Sequence, residues 1–352
     1  MGVREDKLLQ AIELVAPGTP LRVALDDIIS ASTGALIVLD DGEEILAMSN
    51  GGFRLDCEFT PHKLFELAKM DGAIILSKDL RKVLLVNVHL VPDPSLPTSE
   101  TGMRHRTAER VARQTGALVI SVSQKRAVVT LYKGDIRYIL EDLGTLLAKA
   151  NQALQTLEKY RSRLDRVSST LSALEFQDLV TLGDVVMVAQ RAEMVERIAG
   201  EIRRYIAELG INGRLIRMQL EELMGNVEDD HTMLLRDYMP GNMRPPDRIK
   251  QRLSQLSSEE LLDTSLVAAA LGHDHQGGLD IKLSPRGYRM LSKVPRLPWA
   301  VITNVVRNFG SFQQLIEASP QSLDEVEGVG TSRAKAIKEG LDRLRQYSIL
   351  ER

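Results

Sequence analysis

The chain has 352 residues, enough for two or three domains, and its 43% apolar content and mean hydropathy of −0.11 are typical of a globular protein. Its formal net charge of −3 excludes a polycation, so any contact with nucleic acid has to be local. The single cysteine, Cys57, excludes an internal disulfide. The sequence contains no run of about 18 apolar residues, the length that would predict a membrane span. We expect a soluble, cytoplasmic protein.

The first 140 residues mix predicted strands with predicted helices. Two β-rich runs within residues 34–50 surround Asp41 and Gly42, a pair that predicts a hairpin. Residues 60–70 predict a helix that Thr60 caps. The later segments are strands at 72–77 and 82–91, a Pro- and Ser-rich loop at 92–103, a helix at 104–115, and strands at 116–123 and 127–133. This alternation predicts a mixed α/β sheet covered by helices.

The middle of the chain, residues 141–285, is predicted to be helical. Its apolar spacing from residue 147 is close to a heptad seam, with Arg161 and Ser168 as interruptions. The seam positions are Leu147, Ala150, Leu154, Leu157, Leu164 and Leu171. We expect a helical bundle that acts as a spacer or as an oligomerisation element. His273 and His275 lie in a glycine-rich loop without further ligands, which disfavours a metal site there.

The helix predicted at 104–115 begins with Arg104, His105 and Arg106. Helix starts favour negative side chains, because unpaired N–H groups and the macrodipole leave positive charge there. The three basic residues therefore indicate that an anion binds at this helix start, although a solvated surface charge run is the plainer alternative. Two guanidiniums together with the helix N–H groups suit phosphate, because each arginine donates two parallel hydrogen bonds.

Asp71 and Gly72 lie between a predicted helix and a predicted strand. Alone, they are ordinary turn residues. Next to a phosphate site, however, the Asp71 carboxylate would hold a divalent metal or polarise an attacking hydroxyl. Arginines and such a carboxylate are the parts of a nucleotidyl-transfer site. The motifs of P-loop, dinucleotide-binding and serine-hydrolase sites are absent from the sequence.

Two motifs carry a resemblance to a known family. D-G-A at 71–73 and R-H-R at 104–106, followed by T-A-E-R, resemble the two motifs of diadenylate cyclase domains. The order of regions resembles the DNA integrity scanning protein family, with a cyclase domain at 1–140, a helical spine at 141–285 and a helix-hairpin-helix DNA-binding domain at 286–352. This resemblance implies an enzyme of DNA-integrity checkpoint signalling that condenses two ATP into cyclic di-AMP and two pyrophosphates, with Mg²⁺ or Mn²⁺ as cofactor.

The resemblance also implies a role for each residue of the two motifs. Asp71 would bind the metal and help activate the 3′-hydroxyl of ATP, while Arg104, His105 and Arg106 would grip the phosphates. The other nucleotide contacts would come from Gly72, Ala73, Leu90, Met103, Thr107 and Ser123. The family usually has threonine where this chain has Met103. A backbone contact survives that change, but a contact from a side-chain hydroxyl does not.

The C-terminal region carries a second predicted site. Residues 323–341 predict a helix, a Gly-Val-Gly hairpin and a second helix, whose N–H groups and basic side chains would contact DNA phosphates without reading sequence. The residues of this predicted site are Gly328, Gly330, Thr331, Arg333, Lys335 and Lys338. Residues 297–318 resemble a degenerate first half, with Trp299 and Phe309 in its core. The resemblance implies branched DNA as ligand, and a plain helix–turn–helix packing unit is the alternative.

The implied reaction is symmetric, because each ATP attacks the α-phosphorus of the other. Two cyclase domains must therefore face each other, and the resemblance implies an octamer. A non-catalytic nucleotide-sensing, DNA-binding architectural protein is the first alternative, and Asp71 argues against it. A nuclease or helicase accessory is the second, but a nuclease needs a cluster of carboxylates around metals, and no recognisable motif supplies one.

Overall fold

The computed structural model describes residues 3–240, 245–273 and 278–350. They form two compact units. The first contains the described residues up to 152 together with Ile202–Met218, and the second contains Ala153–Glu201 together with the described residues from Gln219 onward. No helix in these ranges combines the length and apolar character needed to cross a membrane.

A mixed sheet forms the centre of the first unit. Its strands are β1 Ala35–Leu39, β2 Ser49–Asn50, β3 Phe53–Glu58, β4 Ala73–Leu76, β5 Lys82–Leu90, β6 Leu118–Ser123, β7 Val128–Lys133 and β8 Ile136–Ile139. Their order across the sheet is β2-β5-β4-β1-β6-β7-β8, and β3 pairs with β5. The mixed α/β class predicted for this region is confirmed.

Helices cover both faces of this sheet. They are α1 Val3–Leu14, α2 Pro20–Ser30, α3 Glu43–Ala47, α4 Pro61–Leu67 and α5 Met103–Thr115. In β1, Ile37 belongs to a core that includes residues of α1, α2 and α4, whereas Leu36 and Val38 belong to one that includes residues of α3 and α5. Every residue of β1 is consequently buried. The predicted cap of α4 is confirmed, because the Thr60 hydroxyl accepts a hydrogen bond from the Lys63 N–H at 3.3 Å.

The strand directions bring several segments to one end of the sheet. β1 and β4 run parallel, while β5 is antiparallel to β4 and β6 is antiparallel to β1. Ala35 pairs with Val122, and Ala73 pairs with Val88. The starts of β1 and β4 and the ends of β5 and β6 therefore lie together.

The hairpin predicted within residues 34–50 is wrong. The segment after β1 forms the helix α3, whose first turn carries Glu43 and Glu44 and which buries Ile45. The Asp40 carboxylate accepts the Gly42 N–H at 2.9 Å and turns the chain out of the sheet. The second strand of a hairpin could not pair with β1 either, because β4 and β6 already pair with its two edges.

Helices make up most of the remaining described chain. They are α6 Leu143–Gln177, α7 Leu182–Leu209, α8 Arg214–Met224, α9 Val227–Tyr238, α10 Pro246–Gln255, α11 Thr264–Leu271, α12 Tyr288–Ser292, α13 Trp299–Phe309, α14 Phe312–Glu317, α15 Pro320–Asp324 and α16 Gly330–Leu350. Short 3₁₀ helices lie at Gly210–Gly213 and Glu260–Leu262. The helical middle region predicted from the sequence is confirmed.

The predicted seam lies on α6. Ala150, Leu154, Leu157, Leu164 and Leu171 are buried as expected, but Leu146 rather than Leu147 is buried at its start. Both polar interruptions of the seam bind neighbouring elements. Arg161 donates to the carbonyls of Leu223 and Met224, each at 2.9 Å, and so caps α8. The Ser168 carbonyl accepts from Arg289 at 2.9 Å.

The end of α7 belongs to the first unit. Glu208 accepts hydrogen bonds from the Tyr138 hydroxyl and from the Glu141 N–H, and burial raises the pKa of its carboxyl group. Just after α7, the Ile211 N–H donates to the Pro17 carbonyl at 3.1 Å. The first unit is thus completed by residues that follow its sheet in sequence by more than sixty positions.

Of the two histidines in the predicted glycine-rich loop, only His273 is among the described residues. His275 lies outside them. The His273 ring is 2.9 Å from the Tyr238 carbonyl, measured from Nε2, and donates to it there. Among the described residues, no group of three or more His, Cys, Asp or Glu side chains has the arrangement of a metal site.

Candidate functional site

The start of α5 is the most unusual helix end of the first unit. Gly102 is its N-cap and supplies no side-chain hydrogen bond, and the first turn contains no acidic residue. Arg104, His105 and Arg106 follow, all half-buried. The unpaired N–H groups and the two guanidiniums therefore add positive charge at one place, as an anion site requires.

Arg104 directs its guanidinium to the sheet end described above. Its Nη1 donates to the Val122 carbonyl at 3.4 Å, near the end of β6. A Cβ atom at Gly34, which immediately precedes β1, would overlap this guanidinium. Gly34 therefore belongs to the site, although the sequence analysis did not identify it. The only signal in the sequence is a glycine directly before a buried strand.

His105 faces a different neighbour. Its ring makes an edge-to-face contact with Tyr132, with the ring centroids 6.4 Å apart. Burial lowers the pKa of the imidazole below 6.5, and the Arg104 and Arg137 charges add to this effect while Glu100 opposes it. At neutral pH the ring is uncharged, so it offers a single N–H donor rather than a cation.

Glu100 is the carboxylate that acts on His105, and it already has partners. It accepts hydrogen bonds from the Tyr132 hydroxyl at 2.7 Å and from Arg137 Nε. Burial raises the pKa of Glu100, but these two hydrogen bonds outweigh it and lower the pKa overall. Glu100 is consequently ionised and paired at neutral pH, and Arg104 and Arg106 do not form an ion pair with it.

Arg106 and the two residues that flank the R-H-R motif, Met103 and Thr107, are available to a ligand. Within the described part of the chain, the Arg106 side chain makes no hydrogen bond or ion pair. Thr107 is half-buried, and Met103 is 76% exposed. The Met103 side chain thus stands in solvent at the position where a hydroxyl contact is expected.

Asp71, Gly72 and Ala73 lead into β4 at the same sheet end. Asp71 is exposed, and its carboxylate has no partner among the described residues, whereas Ala73 is buried. Leu90 is the last residue of β5 and Ser123 the last residue of β6, so both lie at this end. The topology therefore brings Asp71, Leu90, Ser123 and the Arg104 guanidinium together, while His105 is turned toward β7.

The loop that precedes α5 is held by α5 itself. The buried Glu109 carboxylate accepts from the Thr98 hydroxyl at 2.6 Å and from the Ser99 N–H at 3.1 Å. Arg110 donates to the Leu96 carbonyl at 2.9 Å, and Arg113 donates to the Pro97 carbonyl at 2.7 Å. These bonds fix the loop before any ligand binds and so preorganise the helix start.

A divalent cation fits this site on the chemistry of its donors. Mg²⁺ commonly binds one or two protein carboxylates and takes its other ligands from substrate phosphates and water. Asp71 offers one exposed, unpartnered carboxylate beside the arginines that suit phosphate. A larger protein-only cage is not required for such a cation.

The predicted DNA-contacting residues lie at the turn before α16, where Gly328 is, and in the first turns of α16 itself. Gly328 and Gly330 adopt φ values of 84° and 62°, which favour glycine. Thr331 and Lys335 are exposed, whereas Arg333 donates to the Gly328 carbonyl at 2.6 Å. The half-buried Lys338 donates to the Ile316 carbonyl and so caps α14.

The aromatic residues near this turn differ from the prediction in one case. Phe309 packs against the core as expected. Trp299, predicted in the core, is 43% exposed, and that prediction is wrong. Its ring stacks on Tyr288 at 5.6 Å between centroids, and the Arg236 guanidinium lies 4.8 Å from its centroid, so neighbouring surface side chains replace a core environment.

Comparisons with known proteins agree on one family. Residues 22–136 match the family described as DisA bacterial checkpoint controller nucleotide-binding, and residues 140–279 match the DisA bacterial checkpoint controller linker region. DNA integrity scanning protein DisA of Symbiobacterium thermophilum is 55% identical over 97% of each chain. The protein of that name from Clostridium botulinum strain Kyoto is 52% identical over 100% of each chain.

A solved structure of low similarity also aligns. The hypothetical membrane spanning protein from Bacillus cereus has a TM-score of 0.31 and 22% identity, over 35% of this chain and 62% of that chain. Family membership therefore rests on the sequence relatives.

Proposed function

The chain belongs to the DNA integrity scanning protein family, and from this membership we propose that it condenses two ATP into cyclic di-AMP and two pyrophosphates at the sheet end described above. One observation carries the placement of this site. The start of α5 combines three basic residues with no acidic residue in its first turn, and Arg104 reaches the sheet end where Asp71 lies exposed.

The chain's own residues provide the binding of ATP. Arg104 and Arg106 donate paired hydrogen bonds to the triphosphate, and the N–H groups of the first turn of α5 add to them. His105 contributes its unpaired backbone N–H, because its ring faces Tyr132, and Thr107 contributes a hydroxyl. At Met103 only the backbone takes part. The backbone near Gly72, Ala73 and Leu90, together with Ser123, surrounds the nucleoside.

The Asp71 carboxylate polarises the attacking 3′-hydroxyl. It accepts the hydrogen bond, and then the proton, of a 3′-hydroxyl as that oxygen attacks the α-phosphorus of the opposite ATP. Pyrophosphate leaves, and the arginines stabilise its charge. Asp71 would also hold the divalent cation, Mg²⁺ or Mn²⁺, whose charge neutralises the phosphates.

The symmetry of the product requires a second copy of the site. One domain holds one ATP, so both phosphodiester bonds form only where two first units face each other. We propose a homo-oligomer for this reason, and an octamer as in the resemblance. The apolar seam of α6 does not supply the contact between copies, because its residues are already buried within the chain itself.

For the roles of the other regions we keep the three-part division proposed from the sequence, although the compact units are two and the first also contains Ile202–Met218. Residues 1–140 form the cyclase part, 141–285 the spine, and 286–352 the part that binds branched DNA through the turn before α16. Its exposed groups meet phosphates and read no base sequence. ATP and chromosomal DNA share the bacterial cytoplasm, where we place the protein.

The test is incubation of the purified protein with ATP and Mg²⁺ or Mn²⁺, with products resolved by mass spectrometry. We expect cyclic di-AMP from the wild type and none from Asp71→Asn, because the amide cannot take the proton. ATP binding, measured by calorimetry, is retained in that variant since the arginines are intact. Bound but unchanged ATP in the wild type would support the nucleotide-sensing alternative, and turnover by Asp71→Asn at the wild-type rate would remove Asp71 from the mechanism.

A further inference from the structure

Strand β5 contains an irregularity next to the proposed active site. Leu85 pairs with Ile75, and Val88 pairs with Ala73, so two residues of β5 face one residue of β4. The extra residue makes a β-bulge. Asn87 lies in it, with a left-handed φ of 56°. Bulges occur frequently beside active sites, where they re-aim neighbouring groups.

The backbone of the bulge lies directly against Gly72. A Cβ atom at Gly72 would lie 2.8 Å from the carbonyl carbon of Asn87 and 3.0 Å from the Val88 nitrogen. Gly72 also has a φ of 91°, which side chains rarely adopt. The space beside Gly72 is therefore taken by the backbone of β5. This contact by itself requires glycine immediately after Asp71.

A second glycine holds the bulge from the other side. Gly52, in the turn between β2 and β3, has a φ of 77°, and a Cβ atom there would lie 2.5 Å from the Val86 carbonyl oxygen and 2.9 Å from that of Asn87. Its neighbour Gly51 has a similar φ of 69° but open space around it. The kink at Asn87 is thus enclosed between glycines of two neighbouring segments.

We infer that Asn87 is a positioning residue for Asp71 and acts through its backbone. The inference rests on the proposed function of Asp71. The left-handed kink at Asn87 fixes where the Gly72 peptide can lie, and that peptide sets the direction from which the Asp71 carboxylate projects. Asparagine suits the position because, after glycine, it and aspartate enter this region most easily, while β-branched residues strongly resist it.

The first test compares three substitutions at Asn87 by steady-state kinetics of cyclic di-AMP formation. Asn87→Val should lower kcat by about tenfold or more, as misplacement of a reacting group does, with KM for ATP within about threefold. Asn87→Gly and Asn87→Asp should restore most of kcat, since both residues allow the left-handed backbone. Asn87→Ala, a milder change, replaces Asn87→Val if the valine variant fails to fold.

The second test uses the neighbouring glycines as a matched pair. Gly52→Ala and Gly51→Ala both place a side chain on a left-handed backbone, but only the first contacts the bulge. We expect Gly52→Ala to lower kcat by about tenfold and Gly51→Ala by less than about threefold, because strain alone does not shift the bulge. Thermal unfolding of both variants measures the strain separately.

The outcomes separate this inference from the proposed function. A wild type that makes no cyclic di-AMP contradicts the proposed function, whatever the variants do. An active wild type with Asn87→Val at full kcat overturns the positioning role. Equal losses in Asn87→Gly and Asn87→Val also overturn it, because the Asn87 side chain itself is then required.

Discussion

Gly34 and Arg104 illustrate how a single contact directs a side chain of the proposed phosphate site. The two residues are seventy positions apart in the sequence, yet the guanidinium occupies the volume that any Cβ at Gly34 would take. The contact directs Arg104 toward the Val122 carbonyl and the sheet end. Glycine at this position therefore provides room for a functional group of another residue.

The substitution Gly34→Ala tests this contact. Its methyl group displaces the Arg104 guanidinium, so we expect KM for ATP to rise about tenfold, the size of one lost charged hydrogen bond of roughly 1.5 kcal/mol. In an Arg104→Ala background the same substitution should add little, because the group it displaces is gone. Additive effects of the two changes, measured by steady-state kinetics, would show that Gly34 acts by another route.

At the residue scale, the sequence predicts charge better than contact. The prediction of an anion site at Arg104 and Arg106 rests on the helix dipole, and the first turn of α5 contains no acidic residue. The bulge at Asn87 and the contact at Gly34 were not predicted. Both depend on backbone atoms that only the folded sheet brings together, and neither has a side-chain pattern in the sequence.

Helix α16 separates two roles that basic residues on one element can have. Lys335 is exposed, 3.8 Å from Glu339, whereas Lys338 is half-buried and donates to the carbonyl of Ile316. The two lysines are one turn apart and were predicted to act alike. The structure instead gives Lys338 a role in joining α14 to α16.

Substitution of each lysine by alanine distinguishes these roles. Lys335→Ala should weaken DNA binding and reduce the slope of log affinity against log salt by about one, the value for one lost phosphate contact. Lys338→Ala should mainly lower the unfolding temperature, because it leaves a helix-end carbonyl without its donor, at a cost of about 1 kcal/mol. Titrations of DNA at several salt concentrations, with calorimetry of unfolding, provide the comparison. A larger loss of DNA affinity in Lys338→Ala would reverse the assignment.

At the scale of elements, the predictions succeeded where the apolar pattern and its flanking residues fitted only one kind of element. The helix at 104–115 and the strands at 82–91 and 116–123 have long, regular patterns and appear where expected. The short apolar run after Gly42 fits a strand or a helix equally well. The turn at Asp40 directs the chain out of the sheet, and the edges of β1 are already paired, so this run forms a helix. Neither feature can be read from the local sequence.

The whole molecule makes its reaction depend on assembly, because the proposed chemistry needs two first units. We expect specific activity at saturating ATP to fall when the protein is diluted below the concentration at which it assembles. Initial rates and light scattering over the same dilution series measure both quantities. Constant specific activity in samples that scatter as monomers would contradict the facing arrangement.

The limits of the first unit could not be predicted from the pattern of apolar and polar residues along the sequence. The pattern changes near residue 140, yet Glu208, at the end of the second long helix, and Ile211, just after it, complete that unit through Tyr138 and Pro17. No local signal marks such a return of the chain. Family matches divide the chain near the same point, at residues 136 and 140, because they follow sequence order.

The return of the end of α7 has a consequence during synthesis on the ribosome. When the last strand of the sheet leaves the exit tunnel, the hydroxyl of Tyr138 and the carbonyl of Pro17 have not yet met Glu208 and Ile211. The N-terminal unit finishes folding only after the two long helices have been translated. A chain terminated before Glu208 lacks both contacts, so this surface stays incomplete and exposes the chain to quality control.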